Sequence, residues 1–389
     1  MIETSLGYIT ALIAIIGVVT TFESKFKWKI FTILPSIVIV YALVMTLSSL
    51  GLWSQTKEID DTYKGLKDAI LPAMIFIMLL GANLKTISML GGKMIFTFML
   101  ATLSIMIGFI VSFALIGDYL DGTDTYKTIA ALCGSWIGGT GNMMAIQSAL
   151  GVSSEGMGYA LITDSVNYTI WVMLLLSFVS YAPSFNRWSG ANTSRIDEIS
   201  KELNSSTDTN AMAPSVSSIF ILLGIALMVN LLAMEMAKLL PSSEFLSTST
   251  WHILIVTIAG ILTAMTPLGK KEGASLLSSL MLYMIVALIA SRADFSQMSQ
   301  APMYILLGSI VLLIHALLMT TFAKIFKLDL FSIGVASLAN IGGVASAPIL
   351  ASAYSKSLVP IGVLMAMLGY IIGTAGGLIV GKILKIMIS

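Results

Sequence analysis

Long apolar runs separated by short polar stretches organise this chain. A helix needs about 20 mostly apolar residues to cross a bilayer. Runs of that kind predict helices near 5–22, 30–52, 68–84, 94–116, 126–150 and 156–182. A stretch rich in Ser, Thr, Asn and Asp follows at 184–213, and six further helices are predicted near 215–239, 249–267, 273–291, 302–324, 330–353 and 357–384. The chain thus reads as a first repeat (1–183), a polar linker (184–213) and a second repeat (214–389). Inside the linker, Ile196, Ile199 and Leu203 share one face behind a capping Ser194, the pattern of a short amphipathic helix over 194–203. A solvated tether is the simpler expectation for that stretch.

The two halves correspond in detail. TIAALCGSWIGGTGN at 128–142 aligns with SIGVASLANIGGVAS at 332–346 at a constant spacing of 204 residues. Ile137, Gly138 and Gly139 meet Ile341, Gly342 and Gly343, in the fifth segment of each half. Internal repeats of this kind mark secondary transporters. Inside a helix each glycine costs about 1 kcal/mol relative to alanine. In lipid, a break is tolerated only where protein or a wet cavity satisfies the freed backbone. Such a break offers helix N-terminal N–H groups to an anion and carbonyls to a cation such as Na⁺. The alternative is that the glycines only let helices approach closely. Occurring twice, with Asn142 and Ser346 just after, the breaks are read as the candidate site. The residues concerned are Gly138, Gly139, Thr140, Gly141 and Asn142 in one half, and Asn340, Gly342, Gly343 and Ser346 in the other.

Composition places the chain in the membrane class: 57% of residues are hydrophobic and 11% charged, against about 25% charged in soluble domains. A net charge of +1 gives no bulk electrostatic argument for nucleic acid. One cysteine (Cys133) and two histidines (His252 and His315) leave no disulfide framework and no cysteine- or histidine-built metal centre. The first apolar run lacks a basic leader and reads as a retained anchor.

Basic residues follow the first helix (Lys25, Lys27, Lys29) and the third (Lys85, Lys93) in the first half. In the second half they follow the second helix (Lys270, Lys271) and the fourth (Lys324, Lys327). That shift by one helix is what inverted repeats require under the positive-inside rule. Inversion needs an odd number of crossings per half. The counting therefore favours a re-entrant hairpin for segment five, with pieces near 126–137 and 142–150; a broken helix that crosses fully is the rival. Lys382 and Lys385 fit the hairpin scheme poorly.

Asp164, about two turns into segment six and without a basic neighbour in sequence, is the sharpest single residue. A carboxylate at such depth is a functional hypothesis by default. It is read as a coupling site for Na⁺ or a proton, with Thr163 and Asn167 expected to share its pocket; an interhelical hydrogen bond is the alternative. Its counterpart in the second half is Leu368. His315 reads as a hydrogen-bonded packing residue, and Glu235 as a partner for Lys238 or a snorkelling end. Trp53, Trp171, Trp188 and Trp251 read as interface anchors, and the methionines as packing side chains. No Walker loop, HExxH or GxSxG motif is present, so no enzyme activity and no organic cofactor are expected.

GSWIGGTGNM at 134–143, followed by DSVNY at 164–168, resembles the bacterial domain-of-unknown-function 819 membrane proteins. The resemblance covers essentially the whole chain. That family is grouped with cation/proton antiporters and anion transporters, whose members include bile acid/sodium, glutamate/sodium and citrate/sodium symporters. The resemblance implies an all-α inverted-repeat fold with core and scaffold domains, an elevator-like movement, often a homodimer, and residence in the bacterial cytoplasmic membrane. The glycine breaks would lie at the centre of the core, and Asp164 is similar to the acid that antiporters place beside broken helices. Val344-Ala345 in place of Thr140-Gly141 departs from that pattern.

The functional expectation is a secondary transporter of a small, anionic organic solute coupled to Na⁺ or H⁺. A cation/proton antiporter without organic substrate is the alternative. A membrane sensor or scaffold acting through the linker is a third, weakened by the lack of a recognisable soluble output domain.

Overall fold

The computed structural model describes residues 1–26, 36–54, 56–80, 90–120, 124–192, 214–242, 247–292, 301–355 and 358–388, without the side chains of Lys270, Val344 and Ala345. The amphipathic stretch anticipated at 194–203, and Lys27, Lys29 and Lys85, lie outside the described residues. The first half contains α1 (Ser5–Phe26), α2 (Ser36–Ser49), α3 (Lys57–Leu80), α4 (Gly91–Ile116), α5 (Thr125–Gly138), α6 (Thr140–Leu150), α7 (Ser154–Phe178) and α8 (Ala182–Ser189). The second contains α9 (Val216–Lys238), α10 (Thr248–Ala264), α11 (Ala274–Ala290), α12 (Ala301–Phe326), α13 (Leu330–Ile341), α14 (Gly343–Tyr354) and α15 (Val359–Met387). Among the described residues, six helical stretches are long and apolar enough to cross a membrane.

Helix starts follow side-chain chemistry. Ser153, Ser215 and Ser247 accept from the N–H groups of Gly156, Ser218 and Thr250, and Asp329 accepts from Ser332, meeting donors that a helix cannot satisfy itself. Two boundaries depart from the apolar pattern. α3 begins about three turns before its apolar run, and Glu58 and Asp60 in its first turn complement the partial positive charge of that helix start. The polar stretch expected from 184 opens inside α8, whose Phe185 and Trp188 lie three residues apart on one face.

The sequence halves interlock. α3 packs on α9 and α10, and in the corresponding arrangement α11 packs on α1 and α2. α5 lies along α15, and α4 along α12. Spatially, α1–α3 and α9–α11 pack mainly with one another, while α4–α7 pack mainly with α12–α15. The first of these groups is clamped at one end around Ser291. Its hydroxyl meets Tyr8 Oη at 2.5 Å, its carbonyl accepts from Ser48 at 2.7 Å, and Arg292 next to it pairs with Asp60 and stacks on Tyr63.

α3 also contains Pro72, which has no N–H to give the carbonyl four residues earlier. Asn230 of α9 supplies the missing donor: its Nδ2 reaches the Asp68 carbonyl at 3.0 Å and that of Ala69 at 3.2 Å. His252 Nε2 holds the Asn230 carbonyl at 2.8 Å. Glu235 and Lys238 pair at 2.6 Å, both exposed. Trp53 and Trp171 are buried rather than set at an interface, Trp171 because its indole N–H is committed to Ser337 at 2.8 Å; Trp188 is 46% exposed.

Asn230→Leu should lower stability by about 1–3 kcal/mol, the cost of an orphaned buried polar group. Adding Pro72→Ala returns an N–H within reach of the Asp68 carbonyl and should recover part of that loss. Thermal unfolding of the purified variants measures both; strictly additive losses would contradict this account.

Candidate functional site

The chain breaks between α5 and α6 and again between α13 and α14, and at both breaks it turns back on itself. Gly134 of α5 faces Ile146 of α6, and Gly334 of α13 faces Leu350 of α14, so residues before each break meet residues after it. Both segments are helical hairpins.

The two glycines of each pair do different work. The second adopts positive φ: +82° at Gly139 and +59° at Gly343, conformations that L side chains rarely take. The first is crowded. A Cβ at Gly138 would strike Asn142 and the Gly369 backbone of α15; one at Gly342 would strike Ser346 and the Tyr168 ring. In both hairpins the crowding residue lies four positions on, and Asn142 and Ser346 are themselves repeat-equivalent. The packing role weighed for these glycines therefore belongs to the first of each pair, and the conformational role to the second.

Both tips open on one cavity of about 590 Å³. Gly139, Thr140 and Gly141 line it from one hairpin, and Gly342 and Gly343 from the other. These are the N-terminal ends of α6 and α14, which carry partial positive charge and backbone N–H groups without helical partners. Asp164 faces the same space, about 15 Å along α7 at 1.5 Å per residue. Trp136 Nε1 donates to its Oδ1 at 2.9 Å and Ser135 Oγ to its Oδ2 at 3.1 Å. The carboxylate is thereby tied to the last turn of α5, next to the break. The opposite wall comes from α2, α3 and α11, including Ser275, Ser278, Ser279 and Tyr283. Among the described lining residues, Asp164 is the one carboxylate, and no lysine, arginine or histidine is present.

The remaining sequence candidates lie just outside the cavity. Asn142 is buried; it donates to the Gly138 carbonyl at 2.6 Å and accepts from Thr374 of α15 at 2.6 Å, so it braces the first hairpin. Asn340 accepts from Thr102 of α4 at 2.8 Å. Ser346 is buried behind its tip. Asn167 does not share the Asp164 pocket: it reaches α12, donating to the Ile305 carbonyl at 3.2 Å and accepting from Ser309 at 2.9 Å. Thr163 is buried and lies against Gly308 of α12. His315 sits between Ser104 at 2.6 Å and Ser337 at 2.8 Å, in a hydrogen-bonded packing role.

Sequence reasoning passed over Ser135 and Trp136, the partners of Asp164, and the serines of α11. Ser135 and Trp136 stand in the quoted motif, but nothing in their spacing links them to a carboxylate 28 residues downstream. The serines look like ordinary small residues of an apolar helix. Among the described residues, no group of three His, Cys, Asp or Glu side chains is placed to hold a metal ion.

A family profile described as "Protein of unknown function (DUF819)" matches residues 10–387. The chain belongs to the DUF819 family. It is also similar to the "Uncharacterized membrane protein YjcL" of Bacillus subtilis (strain 168), with 22% identity over 376 residues and 92% of each chain covered. Together with its apolar helices, this makes the DUF819 chain a multi-pass membrane protein.

Gly139→Ala and Gly343→Ala should each destabilise the protein by about 1–3 kcal/mol, the cost of a strained backbone conformation. Gly224 in α9 has open space around it, so Gly224→Ala should be neutral or stabilising by up to about 1 kcal/mol. Thermal unfolding of the three variants side by side provides the comparison.

Proposed function

We propose that the protein is a secondary active transporter of a small, anionic organic solute, coupled to Na⁺ or H⁺. The observation that carries this reading is the meeting of both hairpin tips and Asp164 on one cavity. Two helix N-termini offer unpaired N–H groups to a carboxylate or similar anion without needing a basic side chain. Asp164, held by two neutral donors, is the place for the coupling cation or proton.

The halves are read as inverted repeats, and the two packed groups as scaffold (α1–α3, α9–α11) and core (α4–α7, α12–α15). The exchange of equivalent packing partners supports the repeat: α3 against α9 and α10 is matched by α11 against α1 and α2. The hairpin geometry supports five crossings per half, the odd number that inversion requires. The cavity lies at the boundary of the groups, which favours sliding of the core against the scaffold, an elevator-like movement. This reading agrees with a place among cation/proton antiporters and anion transporters.

One observation favours the second reading, a cation/proton antiporter: the only ionisable side chain among carboxylates and bases on the described cavity wall is acidic. Reconstituted proteoliposomes separate the two. On the first reading, a Na⁺ or pH gradient drives uptake of a small organic anion. Asp164→Asn should reduce that driven uptake on the order of ten-fold or more, the ratio produced by losing about 1.4 kcal/mol of ion binding. Gradient-independent uptake with full activity in Asp164→Asn would defeat the coupling role. Salt-driven proton release with no solute moved would select the antiporter.

A further inference from the structure

A second cavity, of about 460 Å³, shares no lining residue with the first. It lies between α7, α8, α12 and α13. Trp171, His315 and Ser337 close its deep end, and Phe178, Tyr181, Phe185 and Trp188 flank its mouth. The polar groups at the deep end satisfy one another. Ser337 Oγ takes the Trp171 N–H at 2.8 Å and meets His315 Nε2 at 2.8 Å, while Ser104 occupies the other ring nitrogen. They leave no unmet partner for a polar ligand, and the rest of the wall is mostly aliphatic and aromatic. From Trp171 to Tyr181 the crevice follows α7 and the 3-10 turn after it (Val179–Tyr181) for roughly 15 Å at about 1.5 Å per residue, about the depth of one bilayer leaflet's hydrocarbon.

The mouth has a different chemistry. α8 is locked over it by Asn186, whose Oδ1 accepts from the Leu330 N–H at 2.9 Å. Lys324 Nζ donates to the Trp188 carbonyl at 2.5 Å and lies 5.1 Å from the Trp188 ring centre. Arg187 donates to Ser184, itself a lining residue, at 3.3 Å. Lys327 passes beside Gly190 at the end of α8. Nearby Lys93 has a counter-charge in buried Asp329 at 3.8 Å. Among the described residues, no carboxylate pairs with Arg187, Lys324 or Lys327. An apolar slot as deep as a leaflet therefore ends under three cations without a carboxylate partner among the described residues and a half-exposed tryptophan.

We propose that this crevice binds an anionic phospholipid, one acyl chain lying along α7 and α12 toward His315 and the phosphate resting among Arg187, Lys324 and Lys327. Charge complementarity selects the headgroup, and the dry wall selects the chain. Lys324 and Lys327 also belong to the basic set that the positive-inside rule puts on the cytoplasmic face, where membranes expose anionic lipid to juxtamembrane basic residues. The site is independent of the transport reading, since it uses other residues and another ligand.

The test uses the purified full-length chain in detergent, with thermal unfolding followed as phosphatidylglycerol, chain-matched phosphatidylcholine or glycerol phosphate is added. Phosphatidylglycerol should raise the unfolding temperature more than phosphatidylcholine, and glycerol phosphate should leave it unchanged. In Arg187→Gln/Lys324→Gln, both exposed changes, the preference for phosphatidylglycerol should fall about five-fold per charge removed, the ratio equivalent to about 1 kcal/mol per basic residue at an anionic surface. Ala316→Trp, which fills the crevice, should abolish the response to both lipids, whereas the charge variant, whose crevice stays open, should keep its response to phosphatidylcholine. Equal effects of the two phospholipids on the parent protein, a preference unchanged in the charge variant, or stabilisation by glycerol phosphate alone would each overturn the proposal.

Discussion

Away from water, an amide N–H or a carbonyl without a partner carries a large free-energy cost, and that constraint shapes the helix irregularities around the cavity. Where α3 is interrupted by Pro72, the orphaned Asp68 carbonyl takes its hydrogen from Asn230 on a neighbouring helix. Where α5 ends, the Gly138 carbonyl takes one from Asn142 across the turn. At the hairpin tips, the first N–H groups of α6 and α14 lack helical partners and face a cavity. Open backbone thus coincides with the place where a solute or ion has access. At Pro72 and Gly138 the fold instead closes the gap with an asparagine side chain.

The repeats share this device but not its details. Gly139 and Gly343 both take positive φ, but Gly139 precedes α6 while Gly343 is the first residue of α14, and the positions around them have diverged. Ser135 and Trp136 are committed to Asp164; their counterparts are Ala339 and Asn340, and Asn340 turns instead to Thr102 of α4. Leu368 stands where the acid would be and is buried among apolar neighbours. The two tips therefore share a positive-φ glycine and differ in chemistry. One is wired to a carboxylate and the other to a structural hydroxyl.

Much of the membrane architecture was legible in the apolar runs, because helix length and lipid thickness set the same spacing. The Ile-Gly-Gly pairs pointed to both hairpins, since helical glycine pairs in lipid need a reason. Asp164 stood out because a charge at that depth is costly. What could not be read was direction around a helix. Asn167 lies three residues from Asp164, yet it reaches α12 instead of the cavity. Trp171 looked like an interface anchor and is buried against Ser337. The partners of Asp164 come from another helix, and a local spacing rule carries no information about which faces meet. α8 escaped notice because eight residues of mixed character are too few to set a period.

The pairing of Asp164 with an indole and a hydroxyl has an electrical consequence. Both donors are neutral, so they solvate the carboxylate without cancelling its charge. On the proposed reading, a bound Na⁺ or proton makes that site uncharged, whereas the emptied and ionised site carries one negative charge. Moving one elementary charge through a membrane potential involves about 2.3 kcal/mol per 100 mV. The voltage across the membrane would then act on the return of the empty site and leave the loaded coupling site nearly untouched, so the field itself would help set which half of the cycle is slow.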